Sequence, residues 1–141
     1  MEPGAIIRDK VILEKGSIVL MNAVINVGSV IGSYTMIDMG AVIGSGVKIG
    51  ANCHIGANAV IAGVLEPPSK KGVVIEDNVY IGANSVVLEG VIIGENSIIG
   101  AMTLVNKDIP KNSLVMGIPC TIKPLKDQTK EKCKLNEELR R

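Results

Sequence analysis

Aromatic residues are almost absent from this sequence of 141 residues. It has no Phe and no Trp, and its two Tyr are Tyr34 and Tyr80. This scarcity favours a narrow core that branched aliphatic side chains fill in stacked layers, because a ring has no space in such a core. The length is that of one domain and is sufficient to bury a core.

Long apolar runs, an excess of one charge and a metal-like cysteine pattern are also missing. The formal net charge is +1, so composition indicates neither a nucleic-acid partner nor a partner with an acidic surface. No apolar run approaches the roughly 18 residues of a membrane span, and MEPGAIIRDK lacks the apolar region of a signal peptide. Cys53, Cys120 and Cys133 share no metal-like spacing, which favours reduced thiols in a cytoplasmic protein.

The sequence does contain a ladder of aliphatic residues with a period of six. The ladder is interrupted once, and its rungs are Ile7, Leu13, Val19, Ile25, Ile31, Ile37, Ile43, Ile49, Ile55, Ile61, Ile75, Ile81, Val87, Ile93, Ile99 and Val105. A short fixed period is typical of a solenoid, and a hexapeptide period indicates a parallel β-helix.

The positions around each rung predict where the strands end. Two residues before a rung the side chain is small or β-branched, and three residues after it Gly or Asn recurs, with Lys10, Tyr34 and Met102 as exceptions. Because Gly and Asn tolerate positive φ, we expect a corner with positive φ at each of these positions. Three short strands then close one triangular coil of 18 residues, and the ladder makes about five coils.

The ladder predicts a β-helix over residues 1–105, with one protruding loop at 63–74. The loop sequence AGVLEPPSKKGVV has eight residues more than the repeat needs. A long loop on a rigid scaffold is more often functional than ornamental. Residues 106–125 are predicted as a C-terminal cap, in which Pro110, Pro119 and Pro124 stop the strands.

The charged segment 126–141 is predicted as a short C-terminal helix, since Leu135 and Leu139 have helical spacing. A frayed tail is the alternative.

The residue before each rung should point outward, because side chains alternate along a strand. These outward positions are nearly all apolar: Ile6, Ile12, Ile18, Val24, Val30, Met36, Val42, Lys48, His54, Val60, Val74, Tyr80, Val86, Ile92, Ile98 and Leu104. The pattern is compatible with β-propensity alone. We favour an interface, in which prisms pack side by side as a closed oligomer.

The repeat resembles that of the hexapeptide-repeat acyltransferases, in which Gly, Ala, Glu or Asp follows an aliphatic rung. That resemblance implies an all-β fold, the left-handed parallel β-helix. Longer strings are similar to the tetrahydrodipicolinate N-acetyltransferases of lysine and diaminopimelate synthesis, over residues 2 to about 125; they are EPGAIIRDKV, TMID with GAVIG, NCHIG, AGVLEPP, VVIEDNVYIGANSVVLEGVIIG and GIPCTIKPL.

The resemblance implies transfer of an acetyl group from acetyl-CoA to the amino group of tetrahydrodipicolinate, as its ring-opened form 2-amino-6-oxopimelate. It implies no metal, and a homotrimer with active sites between subunits. The alternatives are another acceptor, a succinyl donor, or a non-catalytic β-helix that only trimerises. The family also has an N-terminal α/β domain before EPGAIIRD, so we expect a natural short form, a fragment or one piece of a split enzyme.

The resemblance gives catalytic roles to two carboxylates, Glu89 in VVLEG and Asp38 in TMID. By their position alone, both are surface acids at corners. A carboxylate can take the proton that an attacking amine sheds. The two residues lie about three coils apart, so we expect them to cooperate only across a subunit boundary.

His54 is the only histidine, and we expect it to point outward between Met36 and Tyr80. In many acyltransferases of the resembled family a histidine is the base that deprotonates a hydroxyl. The subfamily resembled here implies a carboxylate base, so we assign His54 to substrate binding, with a surface or interface residue as the alternative. A single histidine excludes a zinc enzyme with three histidine ligands. Glu66, on the protruding loop, is a second substrate-binding candidate by resemblance; its alternative role is to start the turn before the prolines.

The resemblance also implies where coenzyme A binds. The pantetheine arm would lie along small residues of the late coils, Ala83, Gly100 and Ala101, where a ligand can approach the backbone closely. Lys107 and Lys123 are the candidate cations for its phosphates.

Overall fold

A computed structural model describes residues 1–65 and 71–132 of the chain. Each rung is the second residue of a two-residue strand. The first sixteen strands are β1 (Ile6–Ile7), β2 (Ile12–Leu13), β3 (Ile18–Val19), β4 (Val24–Ile25), β5 (Val30–Ile31), β6 (Met36–Ile37), β7 (Val42–Ile43), β8 (Lys48–Ile49), β9 (His54–Ile55), β10 (Val60–Ile61), β11 (Val74–Ile75), β12 (Tyr80–Ile81), β13 (Val86–Val87), β14 (Ile92–Ile93), β15 (Ile98–Ile99) and β16 (Leu104–Val105).

The strands form three parallel sheets, one on each side of a triangular coil. The first sheet has the order β1-β4-β7-β10-β13-β16, the second β14-β11-β8-β5-β2, and the third runs from β3 through β6, β9, β12 and β15. Every third strand pairs, so Ile25 lies beside Ile43 and Ile37 beside Ile55. The predicted parallel β-helix is confirmed, and its left-handed sense stays a prediction from the family.

The rungs and the small residues before them fill the interior. From Val19 to Val105 every rung is almost fully buried, whereas Leu13 in the first coil is 39% exposed. Buried hydroxyls join successive coils: Ser29 donates to the Gly44 carbonyl at 2.7 Å and accepts from the Val47 amide at 3.1 Å. These polar groups are therefore satisfied inside an aliphatic core.

The corners have the predicted backbone conformation, including the three positions that lack Gly or Asn. Lys10, Tyr34 and Met102 have φ of 61°, 58° and 62°. Glycines directly after a rung have a different reason: a Cβ on Gly32 would lie 2.3 Å from the carbonyl carbon of Gly50 in the next coil. Close stacking of the coils therefore requires glycine at such sites, because a side chain would collide with the next coil.

Strands do not stop after Val105 as predicted, and of the three prolines only Pro124 is the last residue of a strand. Two further strands follow, β17 (Ser113–Met116) and β18 (Thr121–Pro124). β17 adds to the third sheet by parallel pairing with β15, and β18 turns back antiparallel to it. Pro110 comes before β17, and Pro119 lies in the turn between the two strands, so neither removes an amide from the ladder.

The segments outside the ladder are described in part. The ladder is interrupted between β10 and β11, where the extra loop was predicted, and α1 (Asp127–Lys132) starts the predicted helical segment. Residues 66–70 and 133–141, with Glu66, Leu135 and Leu139, lie outside the described residues. No helix in the described ranges is long and apolar enough to cross a membrane.

The outward positions are apolar but unequally exposed. On the first sheet Ile6, Val42 and Val60 are exposed, and Ile6 reaches 57%. On the third sheet Met36 and Ile98 are buried, at 6% and 7% exposed. The first sheet therefore has a continuous apolar outward column in which three residues are exposed, a surface that favours burial against a partner.

Candidate functional site

A carboxylate and the single imidazole meet on the outer surface of the third sheet. Asp38 directly follows β6, and His54 begins β9 in the next coil, where it pairs with Met36. Oδ2 of Asp38 lies 3.4 Å from Nε2 of His54, and the two side chains are 21% and 16% exposed. The pair is thus largely shielded from water while still within reach of a ligand.

The Asp38 carboxylate is held in place by its own backbone. Its Oδ1 accepts a hydrogen bond from the Met39 amide at 2.7 Å, which directs Oδ2 to the imidazole. The distance of 3.4 Å is longer than an ordinary hydrogen bond but within the range of an ion pair when the imidazole is protonated.

A tyrosine ring covers His54 on the side of the next coil. Tyr80 begins β12 and pairs with His54. The two rings are stacked, with centroids 4.9 Å apart and planes 11° from parallel. The predicted position of His54 between Met36 and Tyr80 is therefore confirmed.

In the coils that follow, small residues occupy the same corner as Asp38. Asp38 donates its amide to the Ile55 carbonyl, and Gly82 donates to that of Ile99, so the same corner position repeats in successive coils. A Cβ on Gly82 would lie 2.4 Å from the Ala101 nitrogen. Three of the residues predicted to bind CoA, Ala83, Gly100 and Ala101, lie together on this edge.

The other predicted residues lie elsewhere in the protomer. Glu89 is exposed at the corner between the first and second sheets, after β13, and Lys107 follows β16 on the same edge. Lys123 lies on β18, at the end of the third sheet. Within one protomer, Glu89 and Asp38 therefore lie at different corners of the coil and more than two coils apart along the helix axis.

The second sheet has a charged groove of its own, with a volume of about 350 Å³. Lys111 and Glu95 form an ion pair there at 3.1 Å, which raises the pKa of Lys111. Glu76 accepts the Glu95 amide and Asp77 the Ala51 amide. Lys111 and Glu95 thus bind each other, and the carboxylates of Glu76 and Asp77 accept backbone amides. In the described ranges, no three His, Cys, Asp or Glu side chains are arranged to hold a metal ion.

The contact between Asp38 and His54 was not predicted, although the sequence contains a signal for it. The two residues are 16 positions apart, which is one coil of 18 residues less two. Two residues along a strand return to the same face of the sheet. Such a separation therefore places two outward side chains as diagonal neighbours in adjacent coils.

The repeat and the fold agree with those of a known family. The model for bacterial transferase hexapeptide (six repeats) matches residues 28–63 and 72–107. The chain belongs to this hexapeptide transferase family.

Several solved structures and curated relatives that are similar to this chain are acetyltransferases by name. A histidine-to-asparagine variant of perosamine N-acetyltransferase from Caulobacter crescentus, in complex with CoA and GDP-perosamine, is 34% identical, with a TM-score of 0.79 over 86% of this chain and 54% of that one. A hexapeptide-repeat acetyltransferase from Vibrio cholerae is 32% identical, with a TM-score of 0.72 over 82% of this chain and 74% of that one.

The 2,3,4,5-tetrahydropyridine-2,6-dicarboxylate N-acetyltransferase of Clostridium perfringens is 61% identical over 100% of this chain and 60% of its own length. The present chain thus spans about 60% of the length of this curated relative.

Proposed function

We propose that this chain carries the catalytic β-helix of an N-acetyltransferase that moves an acetyl group from acetyl-CoA to the amino group of tetrahydrodipicolinate. The Asp38–His54 pair is the observation that carries the proposal, since acyl transfer to an amine needs a group that removes the amine's proton. The curated relative of 61% identity supports the choice of substrate, and the CoA complex of the perosamine enzyme supports the donor.

In the proposed mechanism His54 is the base and Asp38 holds it in one tautomer. In this mechanism the imidazole carries its proton on Nε2, which faces Oδ2 of Asp38 at 3.4 Å, so its lone pair is on Nδ1. Nδ1 takes the proton of the amine as the nitrogen attacks the thioester carbonyl. The C–N bond forms, the C–S bond breaks, and His54 returns the proton to the departing thiolate, which leaves as the CoA thiol.

We propose that the donor binds along the edge beyond the pair, where small residues recur. The arm of acetyl-CoA would run along Ala83, Gly100 and Ala101, with its thioester towards His54. Successive coils are about 4.8 Å apart, so this line begins roughly 10 Å from Asp38. Lys107 and Lys123, at the same end of the solenoid, are the proposed partners of the phosphates.

The proposal includes a homotrimer with sites between subunits. Glu89 of one subunit would then approach the Asp38–His54 pair of its neighbour, and Glu66 would reach the acceptor from the loop. The apolar outward column of the first sheet supports this assembly, because an exposed patch of that kind favours burial against another surface. We propose a cytoplasmic location, where acetyl-CoA is available and the thiols of the chain stay reduced.

A thiol-release assay tests the proposal. The chain is supplied with tetrahydrodipicolinate and either acetyl-CoA or succinyl-CoA. We expect turnover with acetyl-CoA, and a loss of roughly 10²- to 10⁴-fold in kcat for His54→Asn, the range that a general base contributes. A folded, trimeric protein that releases no thiol with either donor would overturn the proposal.

The same assay identifies the base. Loss of turnover in Glu89→Gln with full turnover in His54→Asn would assign the base to Glu89 instead. Turnover with succinyl-CoA alone would correct the donor. Asp77→Asn is the matched control, because this corner acid also accepts a backbone amide but has no imidazole partner.

A further inference from the structure

We infer that Tyr80 is a positioning residue for His54. Its ring fixes the plane of the imidazole in which one nitrogen faces Asp38 and the other faces the acceptor. The inference rests on the proposed role of His54 as the base. No motif singles out Tyr80, because its position at the start of a strand is one that most often takes Val or Ile in this chain.

The stacking geometry carries the inference. Tyr80 is the direct register partner of His54 in the next coil. Its ring lies 4.9 Å from the imidazole, and the planes differ by 11°. Met36 is the partner on the opposite side and is 6% exposed, so its side chain fills the space below the imidazole. A ring held between two filled positions cannot swing out of its plane without displacing one of them.

The plane matters because Asp38 binds one edge of the imidazole. Its Oδ1 is occupied by the Met39 amide, so Oδ2 has a fixed position. The contact from Oδ2 to Nε2 already spans 3.4 Å, and a rotation of the ring would lengthen it further. Tyr80 and Asp38 therefore act together: one sets the plane of the ring, and the other favours the orientation in which Nε2 faces the carboxylate.

Stacking also suits the chemistry of the base. When His54 accepts the amine's proton it becomes a cation, and an aromatic face stabilises a cation placed against it. Phenylalanine supplies the same face without the hydroxyl, and leucine fills similar volume without a face. These two replacements separate the ring from the hydroxyl and from simple packing.

The single histidine gives a direct test, because its imidazole C–H signals are the only ones of their kind in an NMR spectrum. In the unmodified chain and in Tyr80→Phe we expect these signals to carry an upfield ring-current shift. In Tyr80→Leu we expect them to move downfield. Ile92→Ala is the matched control, as this outward residue lies on the second sheet, away from His54.

Steady-state kinetics with acetyl-CoA then test whether stacking of Tyr80 on His54 affects the rate. We expect Tyr80→Leu to lower kcat roughly threefold to tenfold, the worth of one aromatic contact, and to leave KM for acetyl-CoA unchanged. Tyr80→Phe and Ile92→Ala should stay within about twofold of the unmodified chain.

The outcomes separate this inference from the proposed function. Full activity in Tyr80→Leu together with loss of activity in His54→Asn would overturn the role of Tyr80 alone. An equal loss in Tyr80→Phe and Tyr80→Leu would also overturn it, because the hydroxyl would then be the active group. Full activity in His54→Asn would overturn the base itself and the role of Tyr80 with it.

Discussion

Replacing Asp38 by asparagine changes little in the shape of the site and reverses one hydrogen bond. The Asn oxygen can still accept the Met39 amide, as Oδ1 of Asp38 does at 2.7 Å. Its NH₂ group then faces Nε2 of His54 and donates to it. This favours the tautomer with the proton on Nδ1, so the nitrogen proposed to act as the base no longer has a lone pair.

The structure sets the size of the expected effect. At 3.4 Å and an effective dielectric constant of about 20, the carboxylate attracts an imidazolium by roughly 5 kcal/mol. Water reaches both side chains, which are 21% and 16% exposed, so we reduce this to roughly 2–3 kcal/mol. Each 1.36 kcal/mol corresponds to a factor of about ten in rate, so kcat should fall roughly 30- to 150-fold.

The measurement is kcat for thiol release with saturating acetyl-CoA and tetrahydrodipicolinate. Asp38→Asn should be at least as slow as Asp38→Ala, because alanine imposes no tautomer while asparagine imposes the inactive one. Asp77→Asn should remain within about twofold. A kcat for Asp38→Asn within threefold of the unmodified chain, or well above that of Asp38→Ala, would refute the reasoning.

Two further predictions concern the scaffold. In Gly28→Ala the new Cβ meets no atom within 4 Å, but the residue has φ of +78°, so the free energy of unfolding should fall by roughly 1–2 kcal/mol. In Gly32→Ala the new Cβ would collide with the next coil, so the free energy of unfolding should fall by roughly 3 kcal/mol or more. Equal shifts in denaturation midpoint would contradict this difference. Burial raises the pKa of the Cys53 thiol from 9.0 to about 11, so the unfolded chain loses this proton first and the free energy of unfolding should fall by about 2 kcal/mol between pH 9 and 11. Cys53→Ala should lose correspondingly less over that range in denaturant titrations, and an unchanged pH dependence would contradict the assignment.

The repeat made most of the fold predictable. A fixed period of six sets which residues face inward, and glycine or asparagine marks each corner, so strands, sheets and register follow from counting. The end of the ladder was harder to predict. β17 has no rung in phase with the repeat, since Val115 follows Val105 by ten residues rather than six or twelve. Its pairing with β15 depends on the path of the segment between Val105 and β17. No local sequence pattern predicts that path.

The candidate site was predictable residue by residue but not as a constellation. Asp38 and His54 were each identified, in separate roles, and the structure brings them to 3.4 Å. Glu89 remains a prediction, because the residue it would meet belongs to another subunit. The role of Glu66 also remains a prediction, as this residue lies outside the described part of the chain.

The sequence by itself determined the solenoid, because a parallel β-helix repeats one local rule and adjacent coils contact each other at a constant separation along the chain. Only the tertiary structure decided which outward side chains touch. Whether Asp38 turns back over the sheet towards His54, and whether Tyr80 lies flat on that ring, depends on side-chain rotamers and on the neighbours that occupy the adjoining coils. Packing between coils selects these rotamers, and the rotamers bring the polar side chains of the site into contact.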